Sequence, residues 1–364
     1  MSSVIENSIV KYNVVCDDVK REMIEEQPDS RKLATIRTVD GLEPIDGADF
    51  IETALIGGWS VIVKKGEFKV NDFAVYFEID SWIPEIIAPF LFKNREYNNI
   101  PGARLKTVRM RGVLSQGLLL PVNILPDWFQ IVEDADVTQL LQIQKYEVQD
   151  GIMQTNAKGN FPTQIPRTNQ ERVQNLSREM KRWHENSPTF EMTEKLDGSS
   201  MTVYFNDGNV GVCSRNLELK EDDQSAFWIA ARNNDLPSKL ISYDKNIAIQ
   251  GELIGPKIQG NPYNLTVYKF FVFDIWDIDN QRYFTSDERI DFCGSFGLDH
   301  VPILFYVMEL EKKLYEKNSN YLLDWAEGKS FINPKTTREG IVLKEVNGKF
   351  SMKCISNSWL LSKG

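Results

Sequence analysis

The sequence predicts an α+β protein in two parts, a small N-terminal β-barrel and a larger, mostly antiparallel α+β domain. Three observations carry that expectation. The length of 364 residues exceeds one average domain. Short runs of β-branched and aromatic residues, broken by glycines, fill residues 32–122. Around residues 150–165 the composition shifts (DGIMQTNAKGNFPTQIP), and strand-like runs resume at Phe190. The boundary is therefore expected after residue 155, giving domains of 1–155 and 156–364.

Residues 1–31 read as a lead-in strand and a charged arm. LATIRTV, FIETALI, WSVIVKKG and FAVYFEID then read as strands, punctuated by Gly41, Gly47, Gly57, Gly58 and Gly66. RLKTVRMRG and QGLLLPV follow, separated by a turn. Strands at this spacing match an OB-like barrel best. Arg104, Lys106, Arg109 and Arg111 are its densest basic stretch. On a strand, Lys106 and residue 108 share one face while Arg109 and Arg111 share the other, so a bulge or turn is needed to unite all four. They read equally as a solvated edge strand or as a surface for backbone phosphates.

In the second part a helical lead-in is expected over 166–187. From Asn169 to His184, Val173, Leu176, Met180 and Trp183 fall on one apolar stripe, flanked by Arg172, Arg178, Lys181 and Arg182. EMTEKLDGSSMTVYF and NVGVCSRN form a hairpin about Asn206-Asp207-Gly208. The stretch DDQSAFWIAARNND reads as helical, NIAIQGELIG and VYKFFVFDIWDI as strands, Ser286–Gly297 and Glu309–Gly328 as helices, and REGIVLKEV and KFSMKCIS as closing strands.

Much chemistry is excluded at this point. No apolar run approaches a membrane span, and the first residues (MSSVIENSIVKYN) do not read as a secretory signal, so an intracellular, cytoplasmic protein is expected. Cys16, Cys213, Cys293 and Cys354 are scattered without a C-x-x-C pair, which fits reduced thiols rather than zinc ligation or a disulfide framework. The only histidines, His184 and His300, are far apart, and neither Walker A nor G-x-G-x-x-G occurs. A net charge of −10 argues against nonspecific coating of nucleic acid but leaves room for a local basic groove.

The informative segment is Glu194-Lys195-Leu196-Asp197-Gly198, a lysine at a strand end followed by an aspartate and a turn glycine. Four further pieces follow in order: Ser214-Arg215-Asn216, Gly251-Glu252-Leu253-Ile254-Gly255-Pro256, Phe271-Val272-Phe273-Asp274-Ile275, and Glu339-Gly340-Ile341-Val342-Leu343-Lys344. Lys353 then stands in Ser351-Met352-Lys353-Cys354. This order resembles the covalent nucleotidyltransferases, the polynucleotide ligases and mRNA capping enzymes. It is most similar to RNA ligases of the Deinococcus/Naegleria type, with VYFEIDS, TVRMRGVLSQGLLLPV, GELIGPKIQGNPY and MKCISNSWLL extending the likeness over nearly the whole chain.

The resemblance implies an OB-like nucleic-acid-binding domain ahead of a ligase/capping-enzyme-type nucleotidyltransferase domain, and ATP-dependent joining of 5′-phosphate to 3′-hydroxyl RNA ends, most naturally at nicks; a monomer is the default expectation, on which the sequence itself is silent. It implies Lys195 as nucleophile toward the α-phosphorus. It implies Asp197, Glu252 and Glu339 as ligands, through water, of Mg²⁺ or Mn²⁺, and Lys353 on the α-phosphate. Arg215 would contact ribose or the 5′-phosphate and Phe273 would stack on adenine. Glu194, Lys344 and Arg172 complete the nucleotide-binding set, Arg172 toward the β- or γ-phosphate. A lysine attacks only as the free amine, and its ordinary pKa is about 10.4, so depression by Lys353 or a bound cation is expected.

One departure stands out. Related ligases carry two closing lysines spaced K-x-K, whereas Ile355 stands here at the second place, leaving Lys344 or Lys349 as substitutes. A DNA ligase or capping guanylyltransferase is the nearest rival; both append an OB domain after the last motif, where this sequence has eleven residues beyond Lys353. A non-enzymatic RNA-binding protein with a decayed catalytic domain is the other, and it would require a lost motif residue.

Overall fold

Alternating burial makes the strands of the N-terminal part, as in Trp59–Lys64, where Trp59, Val61 and Val63 are buried and Ser60, Ile62 and Lys64 are less so. The computed structural model describes residues 31–91, 95–147, 156–177, 179–180, 188–309, 320–347 and 350–363. The arm over 1–30 with Cys16, the helix cations Arg178, Lys181 and Arg182, Trp183, His184 and Lys349 lie outside the described residues. Two units form, 1–148 with 363–364 and 149–362.

The first unit contains β1 (Ala34–Thr38), β2 (Gly41–Pro44), β3 (Ile51–Ile56), β4 (Trp59–Lys64), β5 (Phe73–Phe77) and β6 (Ser81–Pro84). Then come β7 (Arg95–Tyr97), β8 (Ile100–Arg104), β9 (Thr107–Met110), β10 (Val113–Gln116), β11 (Leu118–Pro121) and β12 (Gln144–Lys145). They pair as β1-β5-β11, β2-β3-β4, β12-β6-β8-β7 and β10-β9. Ile36, Val75, Phe77, Ile83, Leu105, Leu120, Val137, Leu140 and Leu141 meet in one core. The turn expected between RLKTVRMRG and QGLLLPV is instead a full return strand, β10, reached through Arg111-Gly112 with φ of 48° and 82°. That geometry is a tight hairpin turn, which alternation alone does not reveal.

The second unit opens with β13 (Ala157–Asn160) and β14 (Glu171–Arg172). The lead-in helix is corrected here: Glu171 and Arg172 join a sheet edge, and Val173–Leu176 is a 3₁₀ turn before helical residues at 177, 179 and 180. The apolar stripe of Val173, Leu176 and Met180 is real, but parallel pairing of Glu171 with Met352 takes the first residues into the sheet. There follow β15 (Thr189–Lys195), β16 (Ser199–Asn206), β17 (Asn209–Cys213), β18 (Leu217–Leu219), α1 (Ala226–Asn233), α2 (Leu236–Tyr243) and β19 (Ile247–Ile254). Next come β20 (Lys269–Asp277), β21 (Arg282–Tyr283), α3 (Ser286–Phe296), β22 (Ile303–Glu309), α4 (Asn320–Ala326), β23 (Gly340–Glu345), β24 (Ser351–Ile355) and α5 (Asn357–Ser362). Glu309 thus ends a strand rather than opening a helix, because β22 pairs with β15 along Phe190–Thr193.

A seven-stranded sheet, β13-β18-β17-β16-β19-β20-β21, and a five-stranded one, β14-β24-β23-β15-β22, make up the unit. One face of the larger sheet is covered by α1, α2 and α3 through Met201, Val203, Trp228, Leu240, Ile249 and Phe292. One face of the smaller is covered by α4 and the 3₁₀ turn through Phe190, Met192, Leu322, Ile341 and Met352. The other strand faces carry the polar residues described below. Among the described residues no helix is long and apolar enough to cross a membrane.

Candidate active site

Lys195 is the last residue of β15, and Ser199 the first of β16, so the chain passes from the smaller sheet to the larger at Leu196-Asp197-Gly198. That crossing requires glycine. A Cβ on Gly198 would fall against the carbonyl oxygen of Leu253 and within 2.9 Å of Glu252 Cγ. Gly340, opposite Lys195, is equally confined by the Cys354 carbonyl. Close backbone approach at both positions brings the carboxylates beside each motif glycine next to the lysine.

Register does the rest. Lys195 pairs with Gly340, so Glu339 stands at its side and its Oε1 lies 2.8 Å from Lys195 Nζ. Ser200 pairs with Glu252, which brings that carboxylate to the start of β16. Asp197 is buried, and its N–H donates to Tyr263 Oη at 2.6 Å. Lys353 faces Val342 on β24 and acts electrostatically on Glu339. Arg172, buried at the sheet edge, is in register with Lys353. Strand pairing thus joins Lys195, Asp197, Glu252, Glu339 and Lys353, which the sequence spreads over 159 positions.

The electrostatics are those of a carboxylate surplus. Burial pushes Glu252 up to about 8, assisted by Glu339 and Asp197 and opposed by Lys195. Burial likewise raises Glu339, against the pull of Lys195 and with Asp197 adding to the rise. Burial alone would lower Lys195, but Glu339, Glu252 and Asp197 outweigh it and hold the amine above its ordinary value. In this state Lys195 is an ammonium, and added positive charge is what would free its lone pair.

The other expected residues lie differently. Arg215 is exposed, two residues beyond Cys213, the β17 residue that pairs with Thr202. Phe273 is the extra residue of a β-bulge, between Val272 opposite Gly251 and Asp274 opposite Gln250. The bulge turns it into a cluster with Leu196, Ile254, Tyr263 and Phe271, beside the lysine turn. Glu194 shares the parity of Phe190 and Met192, not that of Lys195. Its Oε2 accepts from Phe331 N–H at 2.8 Å, while its buried Oε1 has no hydrogen-bond partner. Burial raises Glu194, moderated by Ser330, Phe331 and Arg338, so it braces the loop leading to Glu339. Lys344 is not beside Lys195: it stands opposite Glu191, ion-paired with Asp274 and donating to the Phe273 carbonyl at 2.6 Å.

Tyr263 is the residue that sequence reasoning missed. It sits in the loop between β19 and β20, whose Pro262 carbonyl accepts from Thr336 Oγ1 at 2.6 Å. A single loop tyrosine has no periodicity to betray it; the only signal is the cluster of turn formers in Gln259-Gly260-Asn261-Pro262, of which Gln259, Gly260 and Asn261 have positive φ. Sequence reasoning also missed a buried network. Arg289 on α3 donates to both Glu191 oxygens at 2.6 Å and, through Nε, to His300 Nε2 at 2.9 Å.

Residues 188–355 match the RNA ligase family and residues 33–122 an OB-fold domain family. A solved structure of Naegleria gruberi RNA ligase with PPi is 44% identical, covers 92% of this chain and 99% of its own, and superposes with a TM-score of 0.85. A lysine-to-alanine variant of that ligase with ATP and Mn has the same identity, coverage and TM-score. A glutamate-to-alanine variant with ATP and Mn is 43% identical at the same coverage and TM-score. A search of curated proteins finds no match.

Proposed function

This chain belongs to the RNA ligase family, and from that premise we propose that it seals nicks in RNA-containing duplexes with ATP, through a lysyl-AMP at Lys195 and an adenylylated 5′ end. The observation that carries the reading is the amine of Lys195 held 2.8 Å from Glu339 at the crossing between two sheets, with Asp197 and Glu252 acting on it. The Naegleria gruberi ligase crystallised with ATP and Mn supports ATP and a divalent cation as the cofactors here.

The donor set fits such a cation in hydrated form. Three acidic side chains crowd one ammonium, and burial pushes Glu252 up to about 8, so the cluster gains from added positive charge. Among the described residues no three His, Cys, Asp or Glu side chains stand close enough to ligate an ion directly, which favours ligation through water. Asp197, Glu252 and Glu339 would hold it, and its charge would lower the lysine pKa and neutralise phosphate oxygens.

The residues then divide the work. Lys195 Nζ forms a bond to the α-phosphorus as the bond to pyrophosphate breaks, and Lys353 counters the charge on the α-phosphate. The AMP passes to the 5′-phosphate, and the 3′-hydroxyl displaces AMP from that end. Both later steps are displacements at phosphorus, in which positioning and charge neutralisation supply the catalysis. Phe273 offers an aromatic face to adenine, and the unbonded Oε1 of Glu194 can accept from its amino group. Arg215 and Arg172 offer forks to the 5′-phosphate or ribose and to the outer phosphates. Lys344 acts at one remove, holding the bulge of Phe273 through its carbonyl. The OB domain binds RNA. We place the enzyme as a monomer in the cytoplasm, where the buried thiols Cys213, Cys293 and Cys354 stay reduced.

The test is incubation with α-labelled ATP and Mn²⁺, mass mapping of the adenylate, and a panel of nicked RNA and DNA duplexes. An adenylate on Lys195 and sealing of the RNA-containing nicks are expected. Transfer from GTP in preference to ATP would favour capping chemistry, and no covalent label would favour a binding protein.

A further inference from the structure

The basic stretch of the first unit is resolved by the structure into two parts. Arg104, at the end of β8, is ion-paired with Asp80 at 2.6 Å and lies over the Tyr146 ring at 4.8 Å, so it serves the fold. Arg109 and Arg111 belong to the β9–β10 hairpin, a sheet of two strands only. Such a ribbon is marginal alone in water and is held here by its base. Thr107 and Gln116 are buried and bonded to each other at 3.3 Å, and Ser115 Oγ accepts from Ile62 N–H at 3.0 Å. From Val108 to Gly112 every residue is exposed.

Charge and polarity on this ribbon are unusual for the chain. Carboxylates average one in seven residues (52 in 364), yet none occurs from residue 97 to 126. Among the described residues neither Arg109 nor Arg111 is seen in an ion pair, and Val108 and Met110 beside them are 43% and 41% exposed. A strand guarding an edge carries charge outward and does not also present methionine and valine. Exposed guanidinium groups outside any ion pair suit backbone phosphates, and two-stranded ribbons are an established way of lying in a nucleic-acid groove.

We propose that the β9–β10 hairpin is the arm with which the N-terminal unit grips duplex RNA, Arg109 and Arg111 lying on backbone phosphates. The partner's identity rests on the RNA ligase reading above. The wide, shallow minor groove of A-form RNA, read by shape and backbone, admits a ribbon of this kind.

The experiment uses the full chain and a labelled nicked RNA duplex, titrated from 50 to 200 mM salt. Arg109→Ala with Arg111→Ala should weaken binding at least tenfold and flatten the log–log salt dependence by nearly two, at about 0.9 per phosphate contact. Arg109→Lys with Arg111→Lys should keep the wild-type slope. Self-adenylylation, which uses no RNA, should stay within twofold throughout. Wild-type affinity and slope in the alanine double variant would overturn the proposal. So would retained RNA binding with lost binding to phosphatidylglycerol vesicles, which would make the arm a membrane contact. Failure of the wild type to seal nicks, with RNA binding still dependent on the two arginines, would fell the ligase reading and leave the arm standing.

Discussion

Along one face of β15, Glu191 and Lys195 stand four residues apart, roughly 13 Å at strand rise, and the charges around them are arranged on opposite terms. At Glu191 every charge meets its opposite: Arg289 grips both carboxylate oxygens, and Lys344, across the ladder, pairs with Asp274. At Lys195 three carboxylates crowd one ammonium, with Lys353 beyond. The two lysines shift in opposite directions. Burial, aided by Arg289, lowers Lys344 despite Asp274, whereas the surrounding carboxylates raise Lys195 despite its burial. A balanced cluster ties β15, β20, β23 and α3 together. The other leaves an excess of negative charge around a single ammonium.

That contrast can be broken experimentally. Lys195→Ala should remove self-adenylylation by more than about 10⁴-fold while leaving the unfolding transition in place, read by label transfer and thermal melting. A melt lowered as much as activity would make Lys195 a structural residue. Arg289→Met should do the converse, costing about 3–5 kcal/mol in denaturant unfolding because Glu191 is left buried without its partner. Folded Arg289→Met should still adenylylate, so loss of activity at unchanged stability would erase the division.

His300 sharpens the balanced side. Burial, with Arg289, holds it down to about 4, and Arg289 Nε donates to its ring nitrogen, which requires the neutral imidazole. The unfolded chain therefore binds a proton that the folded chain refuses between about pH 6.5 and 4. This contribution to stability is complete above 6.5, is lost as pH falls through that window, and amounts to about 3 kcal/mol at most. His300→Gln should flatten the acid limb of a pH–stability curve, and an unchanged limb would remove His300 from the network. The smallest expected change is in the stability of Glu252→Gln. Removing one of three crowded carboxylates should alter unfolding by no more than ~1 kcal/mol, or stabilise, while adenylylation falls. A loss of 3 kcal/mol or more there would mean that both clusters are structural.

Legibility followed the range of the physics. The N-terminal strands Ala34–Thr38, Ile51–Ile56, Trp59–Lys64 and Phe73–Phe77, the Asp207-Gly208 hairpin and helix α3 with its Thr285–Glu288 capping box all follow from local signals. The motif residues were legible because their types and order survive in one dimension. The edge strand at Glu171–Arg172 was not, since its helical stripe is genuine and only pairing with Met352 and Lys353 overrides it. Nothing local marks Arg289 within its helix, yet it is fully buried because it is held by Glu191, 98 positions away.

Local composition alone reveals where strands alternate, where glycines permit a turn, and which lysine precedes an aspartate and a turn glycine. Those are properties of a few adjacent residues. Long-range pairing sets the rest: Glu194 turns from Lys195 while Glu339 turns toward it, Lys344 is taken by Asp274, and Phe273 is re-aimed by a bulge. The reason is that cross-strand register joins residues far apart in the chain, and a shift of one place would exchange every inward side chain for an outward one.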